Sequence, residues 1–182
     1  RAEGMVPVTN PSESLLSQRA RGIRCTLQGS RPILCDLQAL ASRSFYTVPK
    51  RTVGGMDSGR VALLLAVMEK RAGKKLFDQD VYINVAGGLA LSDPAADLAV
   101  CVAVASSLMG FTLSPTLSVM GEVGLCGEVR PVAQAERRVA ECVRLGFTDI
   151  LLPRQNLKRL RPIDGVRMTG VDTLMQALAV VG

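Results

Sequence analysis

The chain has no histidine and no tryptophan, and aromatic side chains make up only 3% of its 182 residues. Without an imidazole there is no Ser-His-Asp or Cys-His catalysis, no histidine general base and no histidine metal site. With two Tyr and four Phe, stacking of bases on rings has little material, which leans a nucleic-acid partner toward duplex. The five cysteines, Cys25, Cys35, Cys101, Cys126 and Cys142, form no C-x-x-C pair, which argues against zinc and any other metal. Most lie in apolar runs and read as small buried hydrophobes in a reducing compartment. No apolar run is long enough to span a bilayer, so no membrane partner is expected.

What is present is ordinary for a globular domain: 48% hydrophobic and 21% charged residues, with a core to be built from Val, Leu, Ile, Ala and Met. The 22 basic side chains exceed the 16 acidic ones, for a net charge of +6, and Arg greatly outnumbers Lys. Arg is the better fork for phosphate, so the excess fits a polyanionic partner as well as simple solubility.

Residues 1–20 read as a connector, with Asn10-Pro11-Ser12-Glu13 as a turn. Residues 23–28 and 32–40 alternate in hydropathy around Gly29-Ser30-Arg31 and predict a β-hairpin. Residues 42–56 read as a basic, glycine-containing loop. A helix over 59–72 is capped by Asp57 or Ser58 and closed by Gly73. A strand over 80–85 leads through Gly87-Gly88-Leu89-Ala90 into a helix over 94–109 that is apolar nearly all round. There follow a strand over 117–120, a hairpin-like run over 121–129 and an amphipathic helix over 134–145. That helix turns Val139, Cys142 and Val143 inward and Arg137, Arg138, Glu141 and Arg144 outward. A buried strand over 149–153, a short basic turn or helix over 154–160, a strand over 166–168 and a helix capped by Asp172 complete the chain. The fold class is α/β: one domain, an N-terminal β-hairpin and then alternating strands and helices. The glycine-rich strand-to-helix turn at 87–99 exposes backbone N–H groups and is where an active site would sit.

Three segments carry a family resemblance: Asp80-Val81-Tyr82-Ile83-Asn84-Val85-Ala86-Gly87-Gly88, Gly121-Glu122-Val123-Gly124-Leu125-Cys126-Gly127-Glu128-Val129, and Leu145-Gly146-Phe147-Thr148-Asp149-Ile150-Leu151-Leu152-Pro153. In order and spacing they resemble the proteolytic domain of Lon, and more closely the Lon-like C-terminal domain of the RadA (Sms) family of recombination and repair proteins. Asn10-Pro11-Ser12-Glu13, Gly29-Ser30-Arg31-Pro32 and Gln38-Ala39-Leu40 add to the RadA match, which covers residues 5–180. The resemblance implies a Lon-like domain over 21–182, with 1–20 as the connector from an upstream ATPase domain. That domain would hold ATP and Mg, since these 182 residues contain no G-x-x-x-x-G-K-[ST] loop and are expected to bind no cofactor themselves. It also implies a homo-hexameric ring, DNA as the polymer handled and a recombinase as a further partner. The compartment would be a bacterial cytoplasm, or a mitochondrial or plastid matrix.

Lon peptidases use a Ser in a Gly-Pro-Ser-Ala-Gly turn and a Lys on a later helix, the desolvated amine serving as base for the hydroxyl. Residue by residue, the Ser position here is Ala95, in Asp93-Pro94-Ala95-Ala96-Asp97, and the Lys position is Glu136. No Lys occurs between Lys75 and Lys158. Ser92, Ser106 and Ser107 have no evident Lys or His partner, so an inactive site is expected. The candidate DNA contacts are Lys50, Arg51, Arg60, Arg154 and Lys158, with Arg159 and Arg161 beside the last two. Lys70, Arg71, Lys74 and Lys75 read as a helix end and a solvated turn, and Arg137, Arg138 and Arg144 as surface or intersubunit charges. The competing functions are a purely structural oligomerisation domain and a Ser/Lys peptidase with a displaced dyad.

Overall fold

The computed structural model describes residues 21–27, 33–86 and 91–182. The connector, the turn at 29–31 and Gly87 to Ala90 lie outside the described residues. The elements run β1 (Arg21–Leu27), β2 (Ile33–Arg43), β3 (Arg51–Gly54), α1 (Ser58–Ala72), β4 (Gln79–Val85), a 3-10 turn (Pro94–Ala96), α2 (Asp97–Met109), β5 (Leu117–Val119), β6 (Glu122–Val123), β7 (Val129–Arg130), α3 (Ala135–Arg144), β8 (Asp149–Pro153), α4 (Arg154–Leu157), β9 (Arg167–Val171) and α5 (Leu174–Val181).

Local signals set several of these boundaries. The Asp57 carboxylate accepts from the Arg60 N–H at 2.9 Å and starts α1, and Gly73 closes it at φ 66°, a conformation that disfavours residues bearing a Cβ. Residues 42–56, expected as one loop, contain β3: Pro49 fixes the entry, and the β-branched pair Thr52-Val53 extends the chain beside β4. The last helix is capped by Thr173 rather than Asp172. The Thr173 hydroxyl accepts from the Gln176 N–H at 3.2 Å, while the Gln176 amide oxygen accepts from the Asp172 N–H at 2.8 Å.

The seven-stranded sheet has the order β3-β4-β2-β1-β5-β8-β9, and the short β6 and β7 form a separate antiparallel pair. β1 and β2 form the expected hairpin, and β2 is antiparallel to both its neighbours. Every other pairing in the sheet is parallel, so β2 alone runs against the remaining six strands. The β3–α1–β4 segment is a β-α-β unit whose crossover helix covers one face of the sheet.

The two halves of the sheet are covered differently. One core joins Leu64 and Met68 of α1, Val100 and Val104 of α2 and Ala177 of α5 to Ala39 and Ile83 of the sheet. A second core joins Val139 and Cys142 of α3 to Met120, Phe147, Ile150 and Leu152. In β8, Leu151 belongs to the first core while Ile150 and Leu152 belong to the second, so this strand lies between two layers and is buried from Ile150 onward. In β4, Val81, Ile83 and Val85 are buried but Tyr82 and Asn84 are exposed. On the face that carries Tyr82 and Asn84 the middle of β4 is open, whereas toward its start Asp80 is buried and accepts from the Lys50 N–H.

Cys101 and Cys142 are buried as expected, but Cys126 is exposed: it sits at the tip between β6 and β7, where the chain reverses between Gly124 and Gly127. Burial pushes the Cys142 thiol up to about 11 and raises that of Cys101 as well. Thiolate is the reactive form, so at pH 8 iodoacetamide should modify Cys126 at least tenfold faster, by order of magnitude, than Cys101 or Cys142. Peptide mapping by mass spectrometry over a time course measures the order, and equal rates would contradict the burial.

Candidate functional site

The turn after β4 is built by three devices. Asp93 caps the 3-10 turn, its Oδ1 accepting from the Ala95 N–H at 3.0 Å, and Pro94 supplies a fixed φ at the first position. The Ala95 carbonyl accepts from the Gly121 N–H at 2.9 Å, and the Gly121 carbonyl accepts from the Leu98 N–H at 3.0 Å. A Cβ at Gly121 would lie 3.1 Å from side-chain carbons of both Leu98 and Val129, tighter than ordinary contact, so glycine eases the close approach of these segments. The Ala95 methyl is buried in the second core, beside Met120, Val132 and Val139.

Two arginine–aspartate pairs brace this turn. Arg138 Nη1 lies 2.8 Å from Asp93 Oδ2, and Arg138 Nε donates to the Ala133 carbonyl at 2.8 Å. The expectation that Arg138 faces outward is therefore corrected: it is 1% exposed. Its position falls on the stripe defined by Ala135, Val139 and Cys142, and Asp93 balances the charge that this position buries. The second pair joins Arg60 to Asp97, itself buried at the start of α2. Arg60 Nε donates to Asp97 Oδ1 at 3.1 Å and its Nη2 to Oδ2, while the Val123 N–H donates to Oδ2 at 3.1 Å. The hydrogen bond to Asp97 raises the Arg60 pKa above its ordinary value.

Beside these pairs lies a cleft of about 290 Å³ lined by Met56, Arg60, Ser92, Pro94, Asp97 and Glu122, among others. Ser92 is exposed there. The cation in the lining is Arg60, whose guanidinium stays protonated and cannot serve as a base for the hydroxyl. Ser106 and Ser107 lie elsewhere: the Ser106 hydroxyl donates to the Phe111 carbonyl at 2.5 Å, and the Ser107 oxygen accepts from the Ala41 N–H at 2.9 Å. Glu136, expected at the Lys position, is exposed on the first turn of α3. Among the described residues no group of three or more Cys, Asp or Glu side chains gathers where it could hold a metal ion, and no helix is long and apolar enough to cross a membrane.

The five candidate DNA contacts do not converge. Since all strands of the large sheet but β2 run one way, Arg60 and Arg154, which follow β3 and β8, lie at the carboxyl end of the sheet with Ala95. Lys50 precedes β3 and lies at the amino end. β3 and β9 are opposite edges of the sheet, separated by roughly 29 Å at ordinary strand spacing. Arg51 turns its guanidinium onto the carbonyls of Gln79 and Leu76, the latter at 2.9 Å, and so braces the β3 edge. Lys50 is exposed with its Nζ 4.1 Å from the centre of the Tyr46 ring. Arg154 donates to Asp172 at 2.9 Å and remains about half exposed, and Lys158 is exposed after α4.

This β-α-β framework, with a capped turn at the carboxyl end of β4 packed against Gly121, defines a Lon-type proteolytic-domain fold. Residues 60–177 match the family model described as the Lon protease (S16) C-terminal proteolytic domain, and the chain belongs to that family. Within it the chain is similar to DNA repair protein RadA of Bacillus subtilis, 43% identical over 98% of this chain and 40% of that protein. It is likewise similar to DNA repair protein RadA of Halalkalibacterium halodurans, 40% identical over 99% of this chain and 40% of the relative. For DNA repair protein RadA of Streptococcus pneumoniae the figures are 42% identity, 96% and 43%. The chain thus spans well under half the length of these curated relatives.

Removing one member of a buried pair leaves the other charged and unpaired. Arg138→Ala should lower the unfolding free energy by about 3–5 kcal/mol, and Arg60→Ala by less, because Arg60 is 32% exposed. Urea denaturation followed by circular dichroism compares the two, and an Arg138→Ala chain as stable as the parent would contradict the role assigned to the pair.

Proposed function

We propose that this chain is a proteolytically inert Lon-type domain of a RadA-like DNA repair protein, and that it binds DNA through its phosphates and supports a hexameric ring. The observation that carries inertness is the pair of side chains at the dyad positions. Ala95 offers a methyl group with no proton to lose, and Glu136 offers an exposed carboxylate of the opposite charge to the lysine a Ser/Lys dyad requires. Ser92 cannot restore the chemistry, because the cation beside it is an arginine committed to Asp97.

DNA binding is supported by the net charge of +6 and by what the similar RadA proteins are named for. Phosphate contact needs charge without a fixed register, which suits an exposed ammonium such as Lys50 or Lys158 better than the internally engaged Arg51 and Arg60. We place ATP and Mg with an upstream ATPase domain, the compartment in the bacterial cytoplasm, and any recombinase contact with the assembled ring. A structural ring component without DNA contact is the alternative that the same measurement excludes.

Two measurements test the proposal. The chain should not hydrolyse casein above the rate of a Ser92→Ala control, and turnover that disappears in that control would overturn inertness. In a low-salt anisotropy titration with mixed-sequence DNA, Lys50→Gln combined with Lys158→Gln should weaken binding alike across sequences. It should also reduce the slope of log K against log salt by about one unit for each phosphate that is no longer neutralised. Unchanged affinity and slope would remove both lysines from the interface, and no binding by the parent chain would leave the structural alternative.

A further inference from the structure

Most of the few aromatic side chains of this chain lie outside its core. Of six, Phe45, Tyr46, Phe77 and Tyr82 are exposed, by 96%, 56%, 67% and 38%. Exposing large apolar rings costs solvation and gains no packing, and three of these rings at one end of the sheet with a fourth midway along β4 mark an interaction surface.

Topology gathers them. Phe45 and Tyr46 follow the end of β2, the reversed strand, and Phe77 precedes β4, so all three fall at the amino end of the sheet. The Ser44 N–H donates to the Asp78 carbonyl at 2.8 Å and ties the two segments together. Tyr82 stands on the uncovered face of β4, level with Leu40 and Thr52, beside a groove of about 340 Å³ that Gln38 and Asn84 also line. Asp80 lies two residues earlier on the same face and accepts from the Lys50 N–H at 2.6 Å, which joins the groove to the loop carrying Tyr46.

The surrounding charge selects the occupant. Arg43, Lys50 and Lys75 are exposed around this end, Lys74 is partly so, and Asp78 is the exposed acid between them. The Lys50 ammonium rests against the Tyr46 ring. Rings interleaved with cations suit a strand that offers unpaired bases and phosphates together, whereas paired bases in a duplex present no free faces. A second copy of the chain docking the same surface would bring the same positive charge against it.

We infer that the amino end of the β3–β4–β2 sheet is a stacking platform for single-stranded DNA, with Phe45, Tyr46, Phe77 and Tyr82 receiving bases and Lys50 and Arg43 facing phosphates. The inference rests on the DNA-binding reading above and adds the strand state and the residues. It reverses the lean toward duplex, which counted the aromatics without their placement.

With no Trp and two Tyr, the intrinsic emission of the chain comes from Tyr46 and Tyr82 alone, both on this surface. Oligo(dT) should quench that emission on titration, duplex of equal length should not, and Tyr46→Phe and Tyr82→Phe should each remove part of the change. Phe45→Ala combined with Phe77→Ala, at exposed positions, should weaken oligo(dT) binding about tenfold or more and duplex binding by less than about twofold. Unquenched emission with unchanged oligo(dT) affinity in the double variant would overturn the platform while leaving phosphate binding by Lys50 and Lys158 intact. Absence of binding to either DNA at low salt would overturn both readings. A change in solution mass of the double variant without a change in DNA affinity would make the surface a contact between copies and overturn the platform.

Discussion

Arg138 carries a full charge at 1% exposure, and the carboxyl end of the domain depends on the interaction that makes this tolerable. A guanidinium cannot neutralise itself by losing a proton, so its burial requires a fixed anion and hydrogen bonds to the remaining donors. Asp93 supplies the anion and the Ala133 carbonyl an acceptor. Asp93 also caps the turn, so one side chain sets the backbone at Ala95 and docks α3 against it. Asp97 performs a parallel service for Arg60 and β6. The turn between β4 and α2 is thus kept in place by two ion pairs and a cap.

Much of the architecture follows from short-range chemistry. The Asp57 cap, the Gly73 stop and the alternation in β4 each follow from residues within a few positions. What escaped sequence reading depends on residues distant in the chain. Arg138 lies on the buried stripe of its helix, and residue type argued against what spacing indicated; only its pairing with Asp93, far back in the sequence, resolves the conflict. Cys126 is apolar in character but falls at a two-glycine reversal, where it is exposed. β3 is four residues long and is stabilised as a strand by pairing with β4, across the whole of α1.

The candidate site was legible in part for the same reason. The assignment of Ala95 and Glu136 to the dyad positions rests on motif position and residue type alone, as part of the proposed function. For the basic residues neither suffices: their order in the chain says nothing of which sheet end they reach, or whether a carbonyl or carboxylate already holds them. Arg51 and Arg60 are engaged internally, while the Lys50 ammonium rests on a tyrosine ring. Counting aromatics returned a low number and hid that most of them lie outside.

The single reversed strand has a wider consequence. β2 returns against its neighbours, so the Phe45–Lys50 loop that follows it falls at the amino end of the sheet, opposite the Ala95 turn at the carboxyl end. Groups that far apart, sharing no partner, contribute independently to free energy. Substitution at one pole can therefore leave the other in place, and the second can be refined without rebuilding the first. The domain is a scaffold with two separately adjustable surfaces.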